Sequence, residues 1–242
     1  MNNQNNLPSV TILAGGIGPE RQVSLDSGQC LADALEFDYR VNLIDLTEAS
    51  LPQDLSPEDT VVISVIHGTF GEDAELSAAM TFSYIKGFQG DTLSSESVIT
   101  MVKHFSGGGP QKDGEDAHFP YGKEQVYPGN NFDYHLMPFT KGALPAKTGQ
   151  IMPYYGIPVG QTKEEVGFGF NKEIITELLR DSLKFDGVVC TDWNIINTMP
   201  LAELAGGERS WGVENLTPEQ RMKKAILAGV DQIGGETSTE QI

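Results

Sequence analysis

Residues 65–73 read Val65-Ile66-His67-Gly68-Thr69-Phe70-Gly71-Glu72-Asp73, the end of an apolar run followed by an acid-ended turn. Upstream, SPEDTVVISVIHG is a polar lead into a strongly apolar strand. Downstream, ELSAAMTFSYIKGFQG carries helix-spaced apolar residues and stops at a glycine. The stretch is therefore a strand end, a turn and a helix start, which together make one βα junction. If it is a single site mouth, the chain is one kind of βα array; if it is a seam, two kinds meet here.

Outward from this junction the βα rhythm continues in both directions. SVTILAGG is an apolar strand ending in a glycine turn, and YRVNLIDL is another strand. VSLDSGQCLADALEF between them is a helix that offers Leu25, Cys30, Leu31 and Leu35 to a core. On the other side, strand candidates lie in SESVITMVKHFSGGG, GQIMPYYG, FDGVVCTDW and AGVDQIGG. FNKEIITELLRDSL and TPEQRMKKAILAG are the helices among them. Seven parallel strands are expected, near 9–14, 40–45, 61–66, 98–104, 149–154, 186–191 and 229–234. The fold class is α/β, a partial or hybrid (βα) barrel. A doubly wound parallel sheet is the alternative, because periodicity does not reveal strand order. The polar segment 106–131 is expected to be a large site loop.

Composition narrows the function classes. The 242 residues hold 16 Lys plus Arg against 34 Asp plus Glu, a formal charge of -18. Such a field repels nucleic acid phosphates and anionic membranes, so neither is an expected partner. No apolar run approaches membrane-spanning length, and MNNQNNLPS lacks the basic start and apolar core of a signal peptide. A soluble product is expected, cytoplasmic in a recombinant host. Cys30 and Cys190 have no short metal-binding spacing, so no metal site is expected. Oligomeric state is left open, since sequence does not fix sheet edges or exposed apolar surface.

Two segments carry candidate chemistry. In AGGIGPERQVSLDSG (14–28), Gly15 and Gly16 permit a tight turn and Ser24 can hydrogen-bond near a helix start. The segment has neither the Rossmann glycine spacing nor the Walker lysine, so turn-and-cap structure and ligand binding both stay open. Followed by IHGTFGED, this run resembles the N-terminal domain of D-alanine–D-alanine ligases over residues 8–73. The resemblance implies that Glu20 orients a substrate ammonium, Ser24 hydrogen-bonds beside it and His67 faces the substrate. The ATP-binding part of that family has no counterpart after Asp73, so ATP-dependent ligation is the lesser enzymatic alternative.

The second segment is chemically richer. Lys103 and His104 end a strand, and Asp116 and His118 follow on the loop as an acid–imidazole pair able to carry a proton. FDGVVCTDW sets Asp192 at a strand end, where it is either a nucleophilic carboxylate or a turn cap. Trp193 beside it is an aromatic platform for a sugar. The ordered pieces FGEDAELSAAM, SYIKGFQG, VKHFSGGG, YPGNNFDYHLMPF, MPYY, FDGVVCTDW and AGVDQIGG, across 70–235, resemble a glycoside hydrolase family 3 catalytic barrel of the β-glucosidase or β-xylosidase kind. The resemblance implies Asp192 as nucleophile, Lys103 and His104 on sugar hydroxyls, Trp193 in the same pocket, and Asp116-Ala117-His118 as the proton donor of one branch. The early-strand aspartate and the arginine before FGED in that family are absent, which removes one bidentate sugar contact.

Read together, residues 1–73 form a ligase-like α/β segment and 70–242 hydrolase-like βα units, expected to pack as one domain. The function expected is that of a degenerate or engineered glycoside hydrolase acting on a small β-glycoside by a retaining mechanism that needs no cofactor. An inactive α/β chimera and a carbohydrate-binding domain without turnover are the alternatives. Convergence of Lys103, His104, His118 and Asp192 at one strand-end site is the observation that bears most on the choice.

Overall fold

The computed structural model describes residues 9–16, 21–47, 60–64 (main chain alone), 73–95, 97–197 and 209–236. Contacts divide the chain into two units, residues 1–99 with 140–147, and residues 100–139 with 148–242.

In the first unit, β1 (Ser9–Gly15) lies between β2 (Arg40–Leu46) and β3 (Thr60–Ser64), all parallel, in the order β2-β1-β3. The apolar run of β1 is buried throughout, as befits the central strand of a parallel sheet covered on both faces. Side-chain alternation divides this run between two clusters. Val10 and Ile12 pack with Leu31, Ala32 and Leu35 of α1 (Arg21–Leu35), while Leu13 joins Leu46 and Ile44 against Leu76 and Met80 of α2 (Ala74–Gln89). Full burial of Ile12 or Leu13 contributes roughly 1.5–3 kcal/mol. This two-faced covering is the doubly wound arrangement, realised locally.

The buried stripe of α1 is Ser24, Gly28 and Ala32, small residues four apart that let the helix lie close on the sheet. Leu25, Leu31 and Leu35 are half-buried at its border. Cys30, expected in the core, is exposed: two positions from Gly28 and from Ala32, it sits about 200° around the helix from either. At the start of α2, Asp73 accepts the Leu76 N–H at 2.7 Å, and Gly90 ends the helix at φ 74°.

The second unit holds β4 (Met101–Phe105), β5 (Glu124–Gln125), β6 (Gln150–Pro153), β7 (Ile157–Pro158) and β8 (Val188–Val189). β4, β6 and β8 form a parallel sheet in the order β4-β6-β8, and β5 pairs with β7, also in parallel. The strand expected at 229–234 is reduced to one parallel bridge, Gln232 to Cys190. Val65 and Ile66, expected to end the third strand, lie outside the described residues. The α/β fold with about seven parallel strands holds, and among the described residues the strands lie in separate sheets not closed into a barrel.

Parallel strands release their C-terminal residues at one edge of the sheet. β4 ends at His104 and Phe105, β6 leads into Tyr154 and Tyr155, and β8 leads into Thr191 and Asp192. A cationic brace holds β8. Arg180, from the π-helical segment Glu173–Ser182, donates to the carbonyls of Phe185, Gly187 and Gly229 and pairs with Asp231, and Asp231 Oδ2 also accepts the Val189 N–H at 2.7 Å. The last helix, α3 (Pro218–Ala228), starts in a Thr217–Gln220 capping box and ends at Gly229 with φ 107°.

Candidate active site

Asp192 lies three residues past the end of β8 and is 5% exposed. Its Oδ1 accepts the Trp193 N–H at 2.8 Å, which fixes the carboxylate against its own main chain. Among the described residues no hydrogen bond reaches the buried Oδ2, although His104 Nε2 stands 3.4 Å away. A buried carboxylate oxygen left without a partner is costly, and such cost is tolerated where a reacting group must be free.

His104 reaches this carboxylate from the end of β4. Burial drives its pKa down to about 4; Asp192 opposes this, while Lys103 and His118 add to it. The ring is therefore neutral at neutral pH and can exchange hydrogen bonds with a hydroxyl. Tyr154 packs against it at 4.8 Å between ring centres, and burial pushes the Tyr154 phenol up to about 12. Gln111 donates to the Tyr154 hydroxyl.

The acid–imidazole pair lies on the 106–131 loop. Asp116 Oδ1 accepts both the His118 N–H at 2.9 Å and a hydrogen bond with His118 Nδ1 at 2.7 Å. Burial alone would raise the Asp116 carboxyl, but these two bonds together with the His118 and Arg209 charges hold the pKa below the usual value. The His118 ring stands edge-on to Tyr155, 4.7 Å between centres. Tyr155 donates its hydroxyl to the Trp193 carbonyl at 2.9 Å, and burial followed by the Asp192 charge raises its pKa. Tyr155 thus touches both the imidazole and the main chain next to Asp192.

The structure therefore brings His104, Asp116, His118, Asp192 and Trp193 together at the strand-end edge of the second unit. Lys103 is exposed beside them, close enough to bear on His104, and Trp193 presents a 58% exposed indole. Ser24 belongs to the first unit, where it is buried and its Oγ accepts the Gly15 N–H at 3.0 Å. Glu20 and His67 lie outside the described residues. Three site neighbours were not singled out from sequence: Tyr154, Tyr155 and Arg209. The tyrosines had a usable signal, since Tyr154 and Tyr155 directly follow the strand that ends in Met152-Pro153. Arg209 had none, being far from every other site residue along the chain. Among the described residues no cluster of three metal-ligating side chains occurs.

A buried carboxylate at a parallel strand end, an acid–imidazole pair nearby and an exposed indole are groups that acetal chemistry at a sugar can use. The chain belongs to glycosyl hydrolase family 3: the pattern of the family's N-terminal domain matches residues 57–235. Over 177 residues it is 52% identical to a probable β-glucosidase C of Aspergillus oryzae, covering 73% of this chain and 28% of that protein. A periplasmic β-glucosidase/β-xylosidase of Dickeya chrysanthemi is 43% identical over 225 residues, 86% of this chain and 34% of that protein. The chain thus spans about a third or less of the length of these relatives. A family 3 β-N-acetylglucosaminidase structure from Paenibacillus superposes with a TM-score of 0.53 at 25% identity, covering 71% of this chain and 29% of that one. A partial likeness, 40% identity over 88 residues, links 36% of the chain to 29% of a D-alanine–D-alanine ligase of Thermotoga petrophila.

Proposed function

We propose that this chain carries the nucleophile and proton-transfer groups of a retaining β-glycosidase acting on a small β-glycoside. The observation that carries the reading is Asp192, whose buried Oδ2 has no hydrogen bond among the described residues while its Oδ1 is tethered. In this mechanism Oδ2 attacks the anomeric carbon and the bond to the leaving oxygen breaks. His118, oriented by Asp116, delivers a proton to that oxygen. Water, deprotonated by the same imidazole, then displaces Asp192 and releases the sugar. Neutral His104 and the Lys103 ammonium hold sugar hydroxyls, and the Trp193 indole faces the ring. No metal or organic cofactor takes part in these steps.

Turnover of nitrophenyl β-glucoside or β-xyloside that is lost in a folded Asp192→Ala chain supports this reading. Saturable sugar binding without turnover selects a carbohydrate-binding domain instead, and neither binding nor turnover selects an inactive scaffold.

For the N-terminal segment we infer a hybrid origin, ligase-like strands joined to family 3 units. The ligase likeness and the separate two-faced sheet support it. The Dickeya match weighs the other way: at 86% of the chain it reaches back before residue 57. ADP release that depends on D-alanine would assign the segment a ligase's chemistry; its absence leaves only a ligase-like shape.

A further inference from the structure

We propose that Trp211 is a positioning residue that sets the Asp116–His118 pair at its working distance from Asp192, through a brace formed by Arg209, Ser210 and Trp211. The inference rests on the reading of His118 as proton donor.

These three consecutive side chains reach three parts of the site. Arg209 Nη1 donates to the Tyr155 hydroxyl at 3.5 Å, with the guanidinium carbon 5.4 Å from the ring centre. Ser210 Oγ, fully buried, donates to the Ile195 carbonyl at 2.6 Å, on the loop that continues from Asp192. Trp211, 3% exposed, donates its indole N–H to the Ala117 carbonyl at 2.8 Å, between Asp116 and His118. The brace is itself anchored, since the Trp211 carbonyl accepts the Gly167 N–H at 2.9 Å.

On the receiving side the loop behaves as one piece. The Phe119 N–H donates to the Asp116 carbonyl at 3.0 Å and the Gly122 N–H to the Phe119 carbonyl at 3.0 Å. Gly122 presses on the main chain of Asp116, where a Cβ would overlap the carbonyl oxygen. Asp116 is exposed and His118 half-buried with its ring against Tyr155, whereas the Ala117 main chain between them is fully buried, its carbonyl held by Trp211 and its backbone also hydrogen-bonded to Tyr154. Proton delivery is sensitive to placement, and a misplacement of about 1 Å can cost on the order of 100-fold in rate.

The test compares two β-glucosides in the full chain. Loss of proton donation slows phenyl β-glucoside, a poor leaving group, far more than 2,4-dinitrophenyl β-glucoside, which leaves without a proton. Trp211→Phe keeps the ring and deletes the N–H. It is expected to lower kcat/KM for phenyl β-glucoside by about tenfold or more while changing the dinitrophenyl substrate less than about twofold. Gly122→Ala, whose Cβ displaces the Asp116 main chain with Trp211 intact, is expected to give the same selectivity, and if Trp211→Phe does not fold, unchanged rates in a folded Gly122→Ala overturn the claim that placement of this loop governs proton donation. Equal slowing of both substrates, or no slowing, overturns the positioning role when His118→Ala shows the selectivity. Absence of selectivity in His118→Ala, or of turnover in the unmodified chain, overturns the proton-donor reading and the positioning role with it.

Discussion

His104 Nε2 stands 3.4 Å from Asp192 Oδ2, and burial leaves that imidazole uncharged at neutral pH, with a pKa of about 4. A neutral ring beside the carboxylate keeps Asp192 from being locked in a strong ion pair, so Oδ2 stays available to an electrophile.

The same burial makes stability depend on pH. The unfolded chain protonates His104 near its ordinary 6.5, whereas the folded chain does so only near 4. Between these values the unfolded state binds more protons, so unfolding free energy rises with pH through this window and levels off above it. Roughly 3 kcal/mol is the upper bound of the effect. Urea unfolding of the native chain and of His104→Gln at pH 4.5 and pH 7 checks it: the stability gap between the two pH values is expected to be smaller in the variant.

Asp192→Asn separates stability from activity. The amide can keep the Trp193 N–H bond through Oδ1 while removing a buried charge whose Oδ2 accepts no hydrogen bond among the described residues. Midpoint denaturation is expected at the same or a higher urea concentration than for the native chain. Turnover of nitrophenyl β-glucoside is expected to fall by about a thousandfold or more.

Arg180 is expected to be needed for the second unit to fold. It donates to three carbonyls and pairs with Asp231, the residue that also receives the Val189 N–H before Asp192. Arg180→Met leaves those acceptors unpaired and is expected to cost roughly 2–4 kcal/mol in chemical denaturation. Arg180→Lys is expected to recover only part of this, because an ammonium cannot span the fork that a guanidinium fills.

Ser24 has a structural bond of its own in the first unit, accepting the Gly15 N–H where β1 ends. Ser24→Ala leaves that buried donor without its partner and is expected to lower the unfolding free energy by about 1–3 kcal/mol.

Local patterns were legible where one strand or helix carried the whole signal. FDGVVCTDW announced a strand with a carboxylate at its end, and β8 delivers Asp192 there. TPEQRMKKAILAG reads as a helix, and α3 occupies Pro218–Ala228 within it. Less legible was anything decided by neighbours distant in sequence. Cys30 looked like a core residue until Ser24, Gly28 and Ala32 proved to be the face laid on the sheet. The two-faced covering of β1 depends on which helix meets Ile12 and which meets Leu13, a matter of strand order that periodicity cannot show. At the site, Asp116 and His118 were readable as a local pair, but their tether to Trp211 joins positions 94 apart. The pairing of Asp192 with His104 likewise depends on β4 and β8 flanking β6.

The most direct test of the central claim is covalent trapping with a 2-deoxy-2-fluoro-β-glucosyl fluoride, followed by intact mass and peptide mapping. A retaining mechanism through Asp192 predicts a single glycosyl adduct, carried by the peptide that contains Asp192 and absent from Asp192→Ala. An unlabelled chain, or an adduct on any other residue, would contradict it.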